Sequence, residues 1–396
     1  LSSGLPTIPV RELEIQKRED DLVAATFGRS FYVIDDYTPL RELASRSDEI
    51  LAMDGYIFPI KPGDMYLRWS PGGAEDYAAD NPPFGVTFTY YVRDPLRTRR
   101  ATPQSEGGRA ARAGEDTPYP SWDELEAEDR EEAPRVFLTI RDSDGNVVNT
   151  VSGSTSQGLR RATWDYRYPG YNPVSAGDGG GGGRFGGGGF GGGRGPMALP
   201  GRYTVSLSRR VDGVVTELAP ATAFEIAPMG QPAIQPQDRA AVLAFQRETG
   251  ELLRVVTGTQ RAASAAMQQI QAMKRAVGQW PEATEQIRED VRALELRLTD
   301  LQATLNGGRT RRARSEPEMP GIVGRVNQVV RGHWNGVYGP TNTHREQYRI
   351  AYDQFTTLYP AMQQLIEIDL PAIEAQLEAV GAPWTTGRAL PDWPPR

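Results

Sequence analysis

Apolar residues recur at every second position through the first half of the chain and at every third or fourth position from about residue 237 onward. That change of period divides the sequence. At the start, Val10, Leu13 and Ile15 open a short apolar strand, and Lys17 to Asp21 form a charged turn. Leu22 to Thr26 and Ser30 to Ile34 make two further strands, broken at Gly28. Three short strands at near-even spacing predict an antiparallel meander, either a propeller blade or a sandwich corner. Such a unit on its own leaves strand edges unpaired and half of an apolar face uncovered, so it predicts a neighbour.

Residues 41–82 carry a different pattern. After a short helical stretch from Leu40 to Met53, the prolines Pro59, Pro62, Pro71, Pro82 and Pro83 forbid long helices. Scattered aromatics (Tyr56, Phe58, Tyr66, Trp69, Tyr77) predict a strap packed onto a domain. Tyr56, Trp69 and Tyr77 are the candidates for a glycan or partner contact, because an exposed ring is a platform on which a sugar stacks.

Phe84 to Val92 alternates and predicts a strand at an early edge of the next domain, 83–228. An insertion over 93–134 follows, with five arginines between Arg97 and Arg112 and nine acids between Glu115 and Glu132. Opposite charge blocks of this kind can fold back on each other, though exposed pairs contribute little. Ser121 and Glu124 stand at capping-box spacing, which predicts a short helix. Val136, Leu138 and Ile140 alternate, Asp144-Gly145 makes a tight hairpin turn, and Val147, Val148 and Val151 return. Further alternation at Ala162, Trp164 and Tyr166, at Tyr203, Val205 and Leu207, and at Phe224 and Ile226 brings the count to about seven strands. That number suits an immunoglobulin- or fibronectin-like sandwich with Trp164 in its core. Within it lies the glycine-rich stretch 177–195, whose backbone entropy predicts a mobile loop.

From Gln237 the period is helical. Val242, Phe245, Leu252, Val256, Met267, Ile270 and Val277 precede a break at Trp280-Pro281. Val291, Leu294, Leu298, Leu301 and Leu305 form the seam of a second helix, stopped by Gly307-Gly308. Ile322 to Trp334 predicts a third. A fourth spans Thr343 to Val380, with kinks or breaks expected at Pro360 and Pro371. Four single-faced helices with short connections predict an antiparallel bundle over 237–381, followed by a tail at 382–396.

Composition changes this picture little. In 396 residues there is room for two or three domains. The formal charge of −7 gives no global reason to expect nucleic acid or an anionic membrane as partner. No stretch approaches the roughly 20 apolar residues of a spanning helix. The absence of cysteine excludes disulfides, thiolate metal sites and a thiol nucleophile.

The segment "DLVAATFGRSFYVIDDYTPLREL" resembles the closing blade of the sortilin-like, BNR-repeat propellers of bacterial secreted proteins, often labelled glycosyl hydrolases. "PYPSWDELEAEDREE", and "GPTNTHREQY" followed by a final helix and "GAPW", are similar to later parts of that family. The resemblance implies a multidomain α+β chain: a terminal blade remnant (1–40), an aromatic, proline-rich connector (41–82), the sandwich and the bundle. It also implies a secreted, cell-surface or periplasmic setting. Its partners would be the remaining propeller blades, on the same precursor or another chain, or further copies of itself. The opening "LSSGLPTIPV" reads as mid-blade, so earlier blades are expected elsewhere.

The expected function is a non-catalytic interaction or scaffold region that docks on a propeller and binds protein, peptide or glycan. The alternatives are an accessory part of a glycoside hydrolase and a subunit of an extracellular assembly. The sequence assigns no catalytic, cofactor or metal residue. The two histidines, His333 and His344, lack the carboxylate pattern of a metal site and are expected to be packing or surface residues. Asp35-Asp36 ends a strand, and a turn role is expected of it ahead of catalysis. No intact Asp-box and no Gly-x-Ser-x-Gly elbow occurs.

Overall fold

A computed structural model of the chain describes residues 7–65, 82–101, 114, 120–174, 194–228, 238–308, 313–334 and 339–391. The protein is a mixed α/β molecule with several β-sheets and a helical C-terminal half. Contacts divide it into two compact units, residues 1–167 with 198–233, and residues 168–197 with 234–396.

The first unit begins with a three-stranded antiparallel sheet, β1 (Val10–Gln16), β2 (Asp21–Thr26) and β3 (Phe31–Ile34), in that spatial order. Gly28, at φ +78°, and Ser30, at φ +63°, make the tight β2–β3 turn. Two short helices follow, α1 (Thr38–Ser45) and α2 (Ser47–Ala52).

Two further sheets form this unit's core. One is five-stranded, in the order β5 (Gly63–Met65), β13 (Val214–Pro228), β12 (Gly201–Val211), β7 (Arg135–Arg141), β8 (Val147–Gly153). The other is three-stranded: β4 (Gly55–Ile57), β6 (Val86–Val92), β9 (Gly158–Trp164). Their inner faces meet through aromatic side chains. The Phe88 and Phe224 rings are 5.3 Å apart edge to face, and Trp164 lies 5.6 Å from Tyr203 and 6.2 Å from Phe224. Trp164 is fully buried, and its Nε1–H donates to the Arg167 carbonyl at 2.8 Å.

The alternation at 84–92 does make a strand, but β6 is central in its sheet and not an edge. Gly55–Ile57 pairs with its far side, through Gly55↔Val92 and Ile57↔Tyr90. The physical reason is that β6 is buried on both faces, with six of its seven residues buried, which an edge strand would not sustain. At 144–145 the expected hairpin is present: Gly145 sits at φ +83°, and Asp142 Oδ1 accepts from the Asp144 and Asn146 amides. Helix α3 (Trp122–Arg130) begins with the expected capping box, in which Ser121 and Glu124 satisfy each other's backbone donors.

The second unit holds α4 (Arg239–Gln279), α5 (Glu285–Asn306), α6 (Ile322–His333), α7 (Asn342–Gln364), a π-helical turn (Leu365–Asp369) and α8 (Leu370–Ala379). Ile270, Met273, Leu298, Leu305, Ile322 and Leu365 are among its fully buried core residues. Side chains of Asp238, Thr284 and Thr341 cap three of the helices. Helix α7 runs through Pro360 without ending there. The departure from α geometry comes five residues later, and Pro371 is the second residue of α8, directly after the π-helical turn. A short two-stranded pair, β10 (Arg167–Pro169) with β11 (Arg194–Met197), flanks the glycine-rich stretch, and residues 177–193 of that stretch lie outside the described residues. No described helix is long and apolar enough to cross a membrane.

Candidate interaction surface

The register of the first sheet sorts its side chains onto two faces. Leu13, Ala24 and Tyr32 stand side by side on one face, as do Ile15, Leu22 and Ile34. Glu12, Ala25 and Phe31, and Glu14, Val23 and Val33, lie on the other. The first face is covered along β2 and β3, with Ala24 buried and Leu22, Tyr32 and Ile34 half-buried, while its Leu13 and Ile15 on β1 are exposed. On the second, Phe31 is 68 % and Val33 53 % exposed. Every residue of β1 is exposed, Leu13 to 61 %, and Phe27 in the turn is exposed as well. Exposed apolar side chains thus stand on both faces of the sheet, Phe31 and Val33 on one and Leu13 on the other.

Among the described residues, β1 and β3 each pair on one side only, so the sheet has two open edges. The edges differ. β1 is protected by Arg11, Glu12 and Glu14 and by an irregularity between Val10 and Glu12, the devices by which edges resist unwanted pairing. β3 reads Phe-Tyr-Val-Ile, with no charge, no proline and no register shift against β2. Apolar residues at both parities of β3 were the signal in the sequence that neither of its faces is a plain solvent face. Alternation in Leu22–Thr26 alone did not reveal it.

Where β3 ends, Asp36 holds the turn into α1. At φ +49° it accepts from the Thr38 amide at 3.1 Å and from the Thr38 hydroxyl, while its own N–H donates to Asp21 Oδ1 at 2.9 Å. Arg161 donates to the Asp35 and Asp36 carbonyls at 2.7 and 2.8 Å. The pair fastens the sheet to its unit, in keeping with the turn role expected of it.

Beside this turn lies a cleft of about 640 Å³, lined among others by Arg18, Asp20, Asp36, Arg41, Glu42 and Lys61. Its charges are largely matched within the cleft: Lys61 pairs with Glu19 and holds that carboxyl below its usual range, and Arg41 lies 3.9 Å from Asp20. Tyr56 stands behind Glu42. Its hydroxyl donates to Glu42 Oε1 at 2.8 Å and accepts from Arg46 at 3.1 Å, and burial, followed by the Glu42 contact, raises its pKa. The Arg46 guanidinium sits 5.6 Å above the Tyr56 ring, and Phe58 meets the ring at 5.1 Å edge to face. Both the hydroxyl and one face of Tyr56 are therefore engaged within the fold. Trp69 and Tyr77, the other two aromatic candidates, lie outside the described residues.

A second, more acidic cleft of about 430 Å³ is lined by Arg99, Asp123, Glu126, Arg130, Glu131 and Asp212 beside α3. In the helical unit the two histidines are neighbours, with rings 5.7 Å apart. His344 completes the capping box of α7 with Thr341: its N–H donates to Thr341 Oγ1 at 3.2 Å and its Nδ1 accepts from the Thr341 amide at 3.3 Å. Burial lowers its pKa. His333 is buried and meets the Phe245 ring at 5.5 Å. Among the described residues no group of three or more His, Asp or Glu side chains is placed to hold a metal ion. No family model, no curated protein and no solved structure matches the chain.

Proposed function

We propose that this chain is a non-catalytic interaction region whose three-stranded sheet serves as the docking element of a larger β assembly. The observation that carries this reading is the sheet itself: two open edges, with Leu13, Phe27, Phe31 and Val33 exposed around them. Open strands recruit strands, because main-chain hydrogen bonds supply affinity and alternate side chains supply choice of partner. The acids near the sheet are engaged in structural bonds, Asp36 in the α1 turn and Glu42 with Tyr56 and Arg46, which speaks for a scaffold role.

In the same reading the sheet is a blade of a sortilin-like, BNR-repeat propeller, and the partner is the rest of that propeller, in a secreted or surface-attached protein. The two sheets that meet around Trp164 are an immunoglobulin- or fibronectin-like spacer, and α4 to α8 an antiparallel bundle. The blade-like motif "DLVAATFGRSFYVIDD" supports this, since it coincides with β2, the glycine turn and β3. Purification from the native source, with mass spectrometry of what accompanies the chain, tests it. The expected companion is a propeller-bearing polypeptide, lost when Leu13 and Ile15 on the β1 edge are changed to Asp. Turnover of a glycan or peptide by this chain alone would overturn it.

A further inference from the structure

We propose that His344 makes the start of α7 an acid-sensitive switch, closed by the neutral imidazole and opened when the ring takes a second proton. The switch lies wholly within the helical unit and is independent of the reading of the first sheet as a docking element.

A capping box ordinarily places Glu or Gln at its third helical position, because the side chain there must accept from the N-cap amide. In α7 that position holds His344. Its Nδ1 accepts from the Thr341 amide at 3.3 Å, so the neutral ring carries its proton on Nε2. A second proton goes to Nδ1. It sets one N–H against another, breaks half of the box and puts a positive charge at the positive end of a 23-residue helix. Imidazole is the side chain that turns from acceptor to donor close to neutral pH.

The surroundings oppose that charge. On α6, Gly332 leaves room for the ring, since a Cβ there would stand 2.7 Å from His344 Nε2. The buried His333 ring follows at 5.7 Å, and Arg331 is exposed beside it. The His333 carbonyl, at the negative end of α6, already accepts from Gln246 Nε2 at 3.3 Å. On α4, Arg247 lies over the Tyr168 ring, and Glu248 accepts from the Tyr348 hydroxyl at 2.8 Å. On α7 itself Glu346 is exposed, and the Arg345 guanidinium covers the Phe245 ring of α4 at 5.4 Å. Burial lowers the His344 pKa, and among the described residues no neighbouring acid raises it. A folded-state pKa below the unfolded value, about 6.5, gives stability that is present above that value and is lost as pH falls through the folded one. Loosening of the first turn draws Arg345 away and uncovers the Phe245–His333 pair, both members of which are buried when the box is closed.

Nitrogen-15 NMR of the histidine rings and amide hydrogen exchange, both on the whole chain at about pH 7.5 and about pH 5.5, test the switch. At the higher pH the His344 ring should be the Nε2–H tautomer. At the lower pH the amides of Thr341–Tyr348, corrected for the intrinsic pH dependence of exchange, should exchange about fivefold faster, the loss that matches a typical cap, while those of α5 keep their rates. His344→Gln keeps an acceptor in the box without titrating, so it should hold the slow rate at both pH values. An Nδ1–H tautomer at the higher pH overturns the proposal. So does wild-type exchange that is the same at both pH values, or a pH dependence that survives His344→Gln. The first two readouts use the unaltered chain and stand whatever the stability of the variant.

Discussion

Removing the indole of Trp164 tests whether the two inner sheets are held together as described. Its ring touches Tyr166, Tyr203 and Phe224 at centroid distances of 5.6–6.2 Å, and the side chain is 1 % exposed. Truncating a buried Trp to Ala typically costs about 3–5 kcal/mol, transfer and cavity terms together. Loss of the Nε1–H bond to the Arg167 carbonyl adds roughly 1 kcal/mol. Trp164→Ala should therefore destabilise the first unit by about 4–6 kcal/mol, a large share of the roughly 5–15 kcal/mol that a domain has. Each kcal/mol moves the midpoint of a domain of this size by roughly 2–4 °C, so the expected drop exceeds about 8 °C. Trp164→Phe keeps the ring contacts but not the donor, and should cost roughly 1–3 kcal/mol. Scanning calorimetry with helical circular dichroism in parallel separates the units: the first transition moves and helix melting does not. A loss below about 1 kcal/mol for Trp164→Ala would refute the idea that the sheets pack around this side chain.

Gly85→Ala should be costly although it adds one carbon. Gly85 sits at φ +134°, and a Cβ there would stand 2.0 Å from the Trp164 carbonyl oxygen, so the start of the β6–β9 pair must shift; a midpoint drop equivalent to at least about 2 kcal/mol is expected in thermal melts. In the helical unit, burial raises the pKa of Glu374 and the Arg388 charge opposes this only in part, while Glu374 Oε1 has no hydrogen-bond partner among the described residues. A raised folded-state pKa gives stability that is fully present below the unfolded value, about 4.3, and is lost as pH rises through the folded value. Glu374→Gln should therefore stabilise the protein relative to wild type more at pH 7 than at pH 4 in urea titrations, and an equal difference at both pH values would contradict the burial argument.

Much of the secondary structure was legible because local chemistry and tertiary context agree. Asp144-Gly145, the Ser121–Glu124 box, the Gly28 turn and the Trp280-Pro281 break each set a boundary with residues only a few positions apart. The position of β6 was not legible, because its neighbour Gly55–Ile57 is three residues long and shows no period of its own. Nor was the length of the β12–β13 hairpin. Its second strand begins Val214-Val215-Thr216-Glu217, exposed and without clean alternation, and the register shifts near Leu207 blur the pattern. Pro360 suggested a break, but packing of Phe355, Leu358 and Met362 carries α7 past it. The docking surface was half legible. That the first sheet needs a neighbour follows from its apolar strands, while the contrast between its charged and uncharged edges required the register.

The central claim is that both edges of the first sheet are covered when the protein is assembled. Amide hydrogen exchange on the chain at low concentration, and then in its native assembly, tests it most directly. Slowing of about tenfold or more at outward-facing amides of Val10–Gln16 and Phe31–Ile34, with the α4–α8 amides unchanged, is the predicted result. Unchanged exchange in both strands, with protection appearing at another surface, would contradict the account.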